Sequence, residues 1–524
     1  IYGGSPNFIL CFPFFSFISC NSLIWINVTV TIIPICTANY NGIICYPQHW
    51  TNSIICFNIT KVALQRKKKW RIAVEFTKEY WVNCFSRCVR YATTFFKWII
   101  FSLIMGTICG LVGTAFHICV EYATGFRENN HMIIYFLPLA GIVIVFIYRI
   151  CGIRHSKGTN LVIGSIRSVE DEIPSRMAPL IFISTVITHL FGGSSGREGA
   201  ALQIGGSIGV SIGKLFKLDD SDKHILTLCG MSAVFSALFG TPITAALFSM
   251  EVISIGILYY CAFVPCLFSS VIAYAITKKL HVVHDHYNIA GMPTSVDVPL
   301  VIKVIGLAIL CAVLSSLFCI FMNLVHKLFR KYFKNQYVRV LAGGVMLVLL
   351  NIILNTTDYN GTGMNIIAQA LNGEAKPTAF LLKALFTAIT IGCGFRGGEI
   401  VPSFFVGATF GCVMGGLMGL DPGFAAALGM VCFFCGVVNC PLTSLFLSIE
   451  LFGAQGILLF TIGCAVSYML SGYYSLYNEQ KIIYSKLRPH YVNLYTNQEI
   501  KTREPGFLEG LIRIREDDSD DIEE

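Results

Sequence analysis

The sequence predicts an all-α, polytopic membrane protein built from two helical repeats with broken and re-entrant helices. Three observations carry this expectation: an apolar, charge-poor composition, apolar runs interrupted by Gly and Pro, and an internal repeat of about 200 residues. Of 524 residues, 55% are hydrophobic and 13% charged, against about 25% charged in a soluble globular domain. Runs such as Ile255–Ile276 and Val304–Val325 reach the roughly 20 residues that cross a bilayer, whereas Ala178–Leu190 and Ala384–Phe395 stop at about 12 to 15. Backbone broken in this way survives at membrane depth only where protein or a water-filled cavity satisfies it. A large soluble enzyme is excluded on these grounds.

The flanks and charges fill in the outline. The formal net charge is +8. Arg66, Lys67, Lys68, Lys69 and Arg71, with Lys78, Arg87 and Arg90, precede the first long span at Trp98–Phe116. By the positive-inside tendency this flank, 65–94, is expected to be cytoplasmic. The bilayer, not nucleic acid, is the expected partner of so basic a juxtamembrane cluster. Residues 1–64 hold no charged side chain up to Thr60 and are read as an N-terminal extension of translated upstream sequence, without chemistry; an extra span over 8–33 and a leader are the alternatives. Membrane repeats are expected at 95–277 and 299–472. Residues 473–524 are expected to hold a cytoplasmic amphipathic helix, Asn478–Leu487, and a polar, acidic tail. The 21 cysteines include one CxxC, Cys432-Phe-Phe-Cys435, with no second pair, so they are read as small reduced hydrophobes. His281, His284, Asp285 and His286 read as a solvated loop, and no metal or cofactor is expected.

Self-similarity supplies the two halves. Pro242-Ile-Thr-Ala-Ala-Leu-Phe-Ser-Met-Glu251 matches Pro441-Leu-Thr-Ser-Leu-Phe-Leu-Ser-Ile-Glu450, Gly205-Gly-Ser-Ile-Gly209 matches Gly407-Ala-Thr-Phe-Gly411, and Gly158-Thr159-Asn160 matches Gly361-Thr362-Gly363. Order and spacing are both preserved, which chance glycine matches would not achieve. Glu251 and Glu450 are expected to cap or pair at a helix end.

The chemistry concentrates in Gly192-Gly193-Ser194-Ser195-Gly196-Arg197-Glu198-Gly199-Ala200. A carboxylate at membrane depth is expensive and marks an ion or proton pathway. The glycines let backbone N–H groups approach a ligand closely. If Ala200–Ile212 is helical, those amides sit at its positive end, where anions are favoured. A negative side chain beside an anion site has the physics of a gate. Tight packing of small residues accounts for Gly205 and Gly209, but not for Arg197-Glu198 among them.

Gly196-Arg197-Glu198-Gly199-Ala200, continued by Gln203 and Gly205, resembles the GREGP-x-x-Q-x-G signature of the CLC family of chloride channels and anion/proton antiporters. Gly397-Gly398-Glu399-Ile400-Val401-Pro402 resembles that family's GGxFxP loop, and Leu476-Tyr477 the position of its pore tyrosine. The match covers about 95–490, with four motifs in order when the Gly158 loop is counted. The resemblance implies repeats of inverted topology, a homodimer with one pore per subunit in the plasma membrane, and a halide, chloride or fluoride, moved with or without protons. It implies that Glu198 is gate and proton acceptor, and that Arg197 supports the loop beside Gly196 and Gly199. The amides of Glu399 and Ile400 would complete an anion site, with a hydroxyl from Tyr477 (or from Tyr474).

Departures from the family pattern bear on selectivity and coupling. Where the family has GSGIP, with a serine on the anion, this chain has Lys157-Gly158-Thr159-Asn160-Leu161; Asn160 takes the serine's place, or Thr159 one residue away. With Ala200 for the signature proline, the pattern resembles the fluoride-exporting branch. Val252 follows Glu251 where proton-coupled chloride members carry an acid. The competing class, a membrane-embedded enzyme with Glu198 as general base and the glycine loop around a phosphate, lacks a GK[ST] sequence after the loop.

Overall fold

A computed structural model describes residues 52–153, 158–167, 173–284, 286–289, 291–293, 295–487 and 490–497, with side chains from Tyr80 onward. The N-terminal extension up to residue 51, the side chains of the Arg66–Arg71 cluster, Lys157, Asp285 and the acidic tail lie outside the described residues. Residues 1–84 form one unit, helical over 52–84, and residues 85–524 form another, which carries the site.

Two series of eight helices follow each other in the same order. The first is α1 (Asn52–Asn129), α2 (Leu137–Ile150), α3 (Thr159–Arg167), α4 (Met177–Leu190), α5 (Glu198–Leu215), α6 (Asp220–Phe239), α7 (Pro242–Glu251) and α8 (Phe263–Lys279). The second is α9 (Val298–Tyr332), α10 (Gln336–Leu354), α11 (Met364–Leu371), α12 (Ala379–Cys393), α13 (Ile400–Leu417), α14 (Pro422–Val438), α15 (Pro441–Phe452) and α16 (Ile457–Leu470). The boundary drawn at 94/95 from composition falls inside α1, because Lys and Arg are good helix formers and a change of charge does not break the backbone. Among the described residues, six helical segments are long and apolar enough to cross a membrane. One of them, α13, is almost wholly buried in protein, so the most apolar sequence is not all lipid-facing. The molecule is an integral membrane protein.

The same local chemistry builds both halves. Asp219 caps α6 by accepting from the Asp222 N–H at 2.8 Å, and Asp421 caps α14 through Phe424 at 2.9 Å. Each of these helices ends on a left-handed residue, Gly240 (φ 71°) and Asn439 (φ 59°), and a proline soon opens the next helix. Helices α5 and α6 touch backbone to backbone: a methyl on Gly205 would strike the Gly230 carbonyl, and one on Gly230 the Gly205 carbonyl. Gly407 and Gly429 repeat this between α13 and α14. These are the most closely packed helix pairs of the fold.

The halves meet antiparallel, as inverted repeats must. Glu251, at the end of α7, accepts from the Leu442 and Thr443 N–H groups at 3.1 and 2.8 Å and from the Thr443 hydroxyl at 2.6 Å, all at the start of α15. Glu450, near the end of α15, accepts from Ile243 and Thr244 at 2.9 and 2.8 Å at the start of α7. Each glutamate thus caps the helix of the other repeat, where four N–H groups lack intrahelical partners and the dipole favours an anion. A second reciprocal contact joins Gly196 and Gly398, whose N–H groups donate to each other's carbonyls at 2.7 and 2.6 Å.

One element differs from expectation. Asn478–Leu487 does not form an amphipathic helix. Lys481–Tyr484 is a strand, β2, paired in parallel with β1 (Ser254–Ile255) and antiparallel with β3 (Tyr491–Tyr495). The Ile-Ile-Tyr and Tyr-Val-Asn-Leu-Tyr runs favour extended backbone. The short edge left after α7 supplies hydrogen-bond partners that no local periodicity reveals.

Two outcomes are expected. Glu251→Ala should lower the stability of the detergent-solubilised protein by about 2 kcal/mol through the orphaned α15 amides, read as a fall in melting temperature; an unchanged melting point would show that the cross-cap is idle. Gly205→Val should abolish the folded peak in size exclusion through overpacking. Gly416→Ala, whose added methyl meets only Pro422 at 3.9 Å, should elute as the parent.

Candidate anion site

The loop that carries Glu198 is clamped from several directions. Gly192 leaves α4 with φ 87°, a conformation suited to glycine. The Gly193 N–H donates to Thr188 at 2.8 Å, and the Gly193 carbonyl accepts from Gly361 at 3.1 Å. Ser194 bonds α12 twice, through its N–H to the Thr390 hydroxyl and through its hydroxyl to Thr387, both at 3.1 Å. Arg127 of α1 donates to the His189 carbonyl at 2.8 Å, and the His189 ring, 3.4 Å from the Gly196 carbonyl, is placed to donate its Nε2–H there.

Glu198 opens α5 and is fully buried. Its side chain crosses to the other repeat, where Oε2 accepts from the Val401 N–H at 3.2 Å in the first turn of α13. Oε1 has no partner among the described residues. Room for the carboxylate comes from the bridging glycines: a methyl on Gly196 would strike it, and one on Gly398 would lie 2.9 Å from Oε2. Glu399 is the N-cap residue of α13, and fully buried Ile400 is its first residue. The carboxylate therefore lies where the positive ends of α5 and α13 converge, a setting that suits any small anion.

A third helix start joins them. Thr159 begins α3 and donates its hydroxyl to the Gly199 carbonyl at 3.3 Å. Gly199 is closely hemmed in, since a methyl there would lie 3.0 Å from both Gly398 Cα and Thr159 Oγ1. The Asn160 side-chain oxygen accepts from the Glu479 N–H at 3.1 Å. That bond fixes the amide's orientation and leaves its N–H₂ end without a protein acceptor among the described residues.

Tyr477 is 2% exposed, whereas Tyr474 is 41% exposed. The Tyr477 backbone is tied down by the Ser475 hydroxyl at 3.2 Å and by Thr496, which donates to its carbonyl at 2.6 Å. Glu399 and Glu198 are among the acidic groups whose fields reach its hydroxyl. Arg197 turns elsewhere: its guanidinium lies 3.9 Å from Glu121, which also pairs with His117 at 2.8 Å, and it lines an open pocket with Phe239, His284, Met364 and Phe404.

The structure thus brings Thr159, Gly196, Glu198, Gly199, Glu399 and Ile400 together, with Tyr477 within electrostatic reach. It ties Asn160 to the segment just after Tyr477. Arg197 contributes its backbone there and its side chain to another cavity. Sequence reasoning missed the amide that the carboxylate uses, Val401, although the first-turn position of that N–H was a signal. It also missed the supports Arg127, His189, Lys383, Thr387 and Thr390. Lys383, Thr387 and Thr390 share one α12 face at helical spacing, a pattern lost in an apolar run.

Known proteins match this arrangement. The Voltage gated chloride channel family matches residues 139–472. A Chloride/fluoride channel protein of Pseudomonas syringae pv. tomato is 33% identical over 396 residues, 74% of this chain and 87% of that protein. The H(+)/Cl(-) exchange transporter ClcA of Vibrio cholerae is 26% identical over 390 residues, 68% of this chain and 82% of that one. Among solved structures, a CLC-type fluoride/proton antiporter superposes with a TM-score of 0.71 at 33% identity, covering 74% of this chain and 98% of that one. With its inverted repeats and a buried glutamate across two helix starts, the chain belongs to the CLC family of voltage-gated chloride channels.

Proposed function

We propose that this protein moves small halide anions, fluoride or chloride, across the plasma membrane as a homodimer with one pathway per subunit, gated by Glu198. The observation that carries the reading is the bond from the Val401 N–H to the fully buried Glu198 carboxylate. A carboxylate oxygen there stands in for a halide, because both are anions seeking the same amide at the same helix start. Protonation removes the charge, and with it most of the attraction to α13. The neutral side chain then leaves, and an anion takes the amides of Glu399, Ile400 and Val401. The unpartnered Oε1 is where the proton would bind.

Backbone amides and hydroxyls are weak enough ligands for turnover: binding must strip water yet permit release. Asn160, whose N–H₂ end meets no acceptor among the described residues, and the Tyr477 hydroxyl would serve the anion from the opposite side, with Thr159 as the nearby alternative to Asn160. Arg197 would hold the loop's outer flank through Glu121. The 33% identical relatives named for fluoride favour fluoride over chloride as the substrate. An enzymatic reading finds no support among the relatives, which are channels and exchange transporters.

Reconstituted in liposomes, the protein should release fluoride faster than chloride on an ion-selective electrode, and faster at low pH, where the Glu198 carboxyl is neutral. Glu198→Gln should remove the pH dependence; a variant that keeps the parent's pH profile would defeat the gating role. Channel and antiporter are separated by imposing a proton gradient without an anion gradient. Uphill halide movement means coupling, and it should vanish in Glu198→Gln.

A further inference from the structure

Lys383 lies early in α12, fully buried in an apolar helix. An ammonium at membrane depth is costly and is kept only for a reason. Its Nζ donates to the carbonyls of Gly361 at 2.7 Å and Tyr359 at 3.1 Å, and it sits 5.2 Å from the centre of the Phe405 ring. Carbonyl oxygens and an aromatic face are what an ammonium selects, but none of them neutralises it. No carboxylate lies within ion-pair distance of it among the described residues.

The titratable and charged groups around it are known element by element. Arg127 comes from α1, His189 from α4 and Glu198 from α5. Arg127 has Glu128 at 3.6 Å, a half-exposed partner. Phe405 belongs to α13, one turn beyond Val401, so the ammonium flanks the helix start that holds the Glu198 carboxylate.

A purely mechanical role leaves the choice of residue unexplained. Lys383 does staple the gate loop indirectly, since the Gly361 it grips donates to Gly193. A glutamine amide, with two N–H donors, could hold two carbonyls without bringing a charge into the membrane.

We propose that Lys383 is a fixed counter-charge of the anion pathway. It stabilises at a distance whichever anion occupies the α13 start, Glu198 carboxylate or halide, and never touches the ion. The proposal rests on the gating reading above. One consequence is specific: because Lys383 favours both competitors, its effect on their competition largely cancels while Glu198 is ionisable. It emerges in full only when the carboxylate is gone.

The test compares Lys383→Gln with its parent in a Glu198→Gln background, measuring fluoride flux against fluoride concentration in liposomes. A fixed charge predicts a rise of about tenfold in half-saturating fluoride, the scale of one unit charge a helix diameter away at an effective dielectric near 20, with the melting temperature retained. In the Glu198 background, Lys383→Gln should shift the flux–pH midpoint upward, since a carboxylate deprived of a nearby cation takes its proton at higher pH. Unchanged half-saturation on adding Lys383→Gln to Glu198→Gln, with an unshifted midpoint in the folded Lys383→Gln single variant, would overturn the proposal and leave a staple. Should that variant misfold, Lys383→Met carries the same measurement, and failure of both to fold assigns the residue to the staple alone. Absence of halide flux in the unmutated chain would instead defeat the transport reading itself.

Discussion

Everything in this fold depends on satisfying helix N-termini that have no water to turn to. The first N–H groups of a helix lack intrahelical partners, and at membrane depth the alternative to a protein acceptor is hydrocarbon. The chain meets this demand with glutamates taken from the opposite repeat, in two versions of different strength. Glu251 receives two N–H groups and a hydroxyl from α15, and Glu450 receives two N–H groups from α7. Glu198 reaches across the repeats to one amide, Val401, at 3.2 Å, and its Oε1 has no partner among the described residues. The first arrangement is the more fully bonded seam, and the second is the weaker contact on which the proposed gating rests.

The inverted repeat makes both versions available. Placing α5 against α13 head to head requires backbones to approach without side chains between them, hence the paired glycines at 196 and 398. The same demand for close approach recurs along the helices at Gly205 and Gly230, and at Gly407 and Gly429. Small residues here do not merely permit packing. They fix the distance at which a side chain from one repeat can reach the amides of the other.

Behind the Glu198 loop, basic and polar side chains hold backbone groups and do not meet the carboxylate. Arg127 and His189 brace the loop, Thr387 and Thr390 grip Ser194, and Lys383 holds the segment that holds Gly193. A direct ammonium contact would bind a halide too firmly to release it. On the proposed reading, charge held one layer back would lower the cost of dehydration and leave the ion mobile.

Much of this was legible in the residues. A charge-poor composition, broken apolar runs and three in-register matches are one-dimensional signals, and they determined the membrane class and the duplication and singled out the loop that carries Glu198. The hairpin at Lys481–Tyr495 was not legible, because its first strand is ordered by an edge contributed at Ser254–Ile255. The partners of Glu251, Glu450, Glu198 and Lys383 were decided only in three dimensions. Most of them are backbone groups, and every residue type but proline carries the same N–H and C=O. A sequence marks where a charge stands; which helix start or carbonyl it meets depends on how the two repeats are folded against each other.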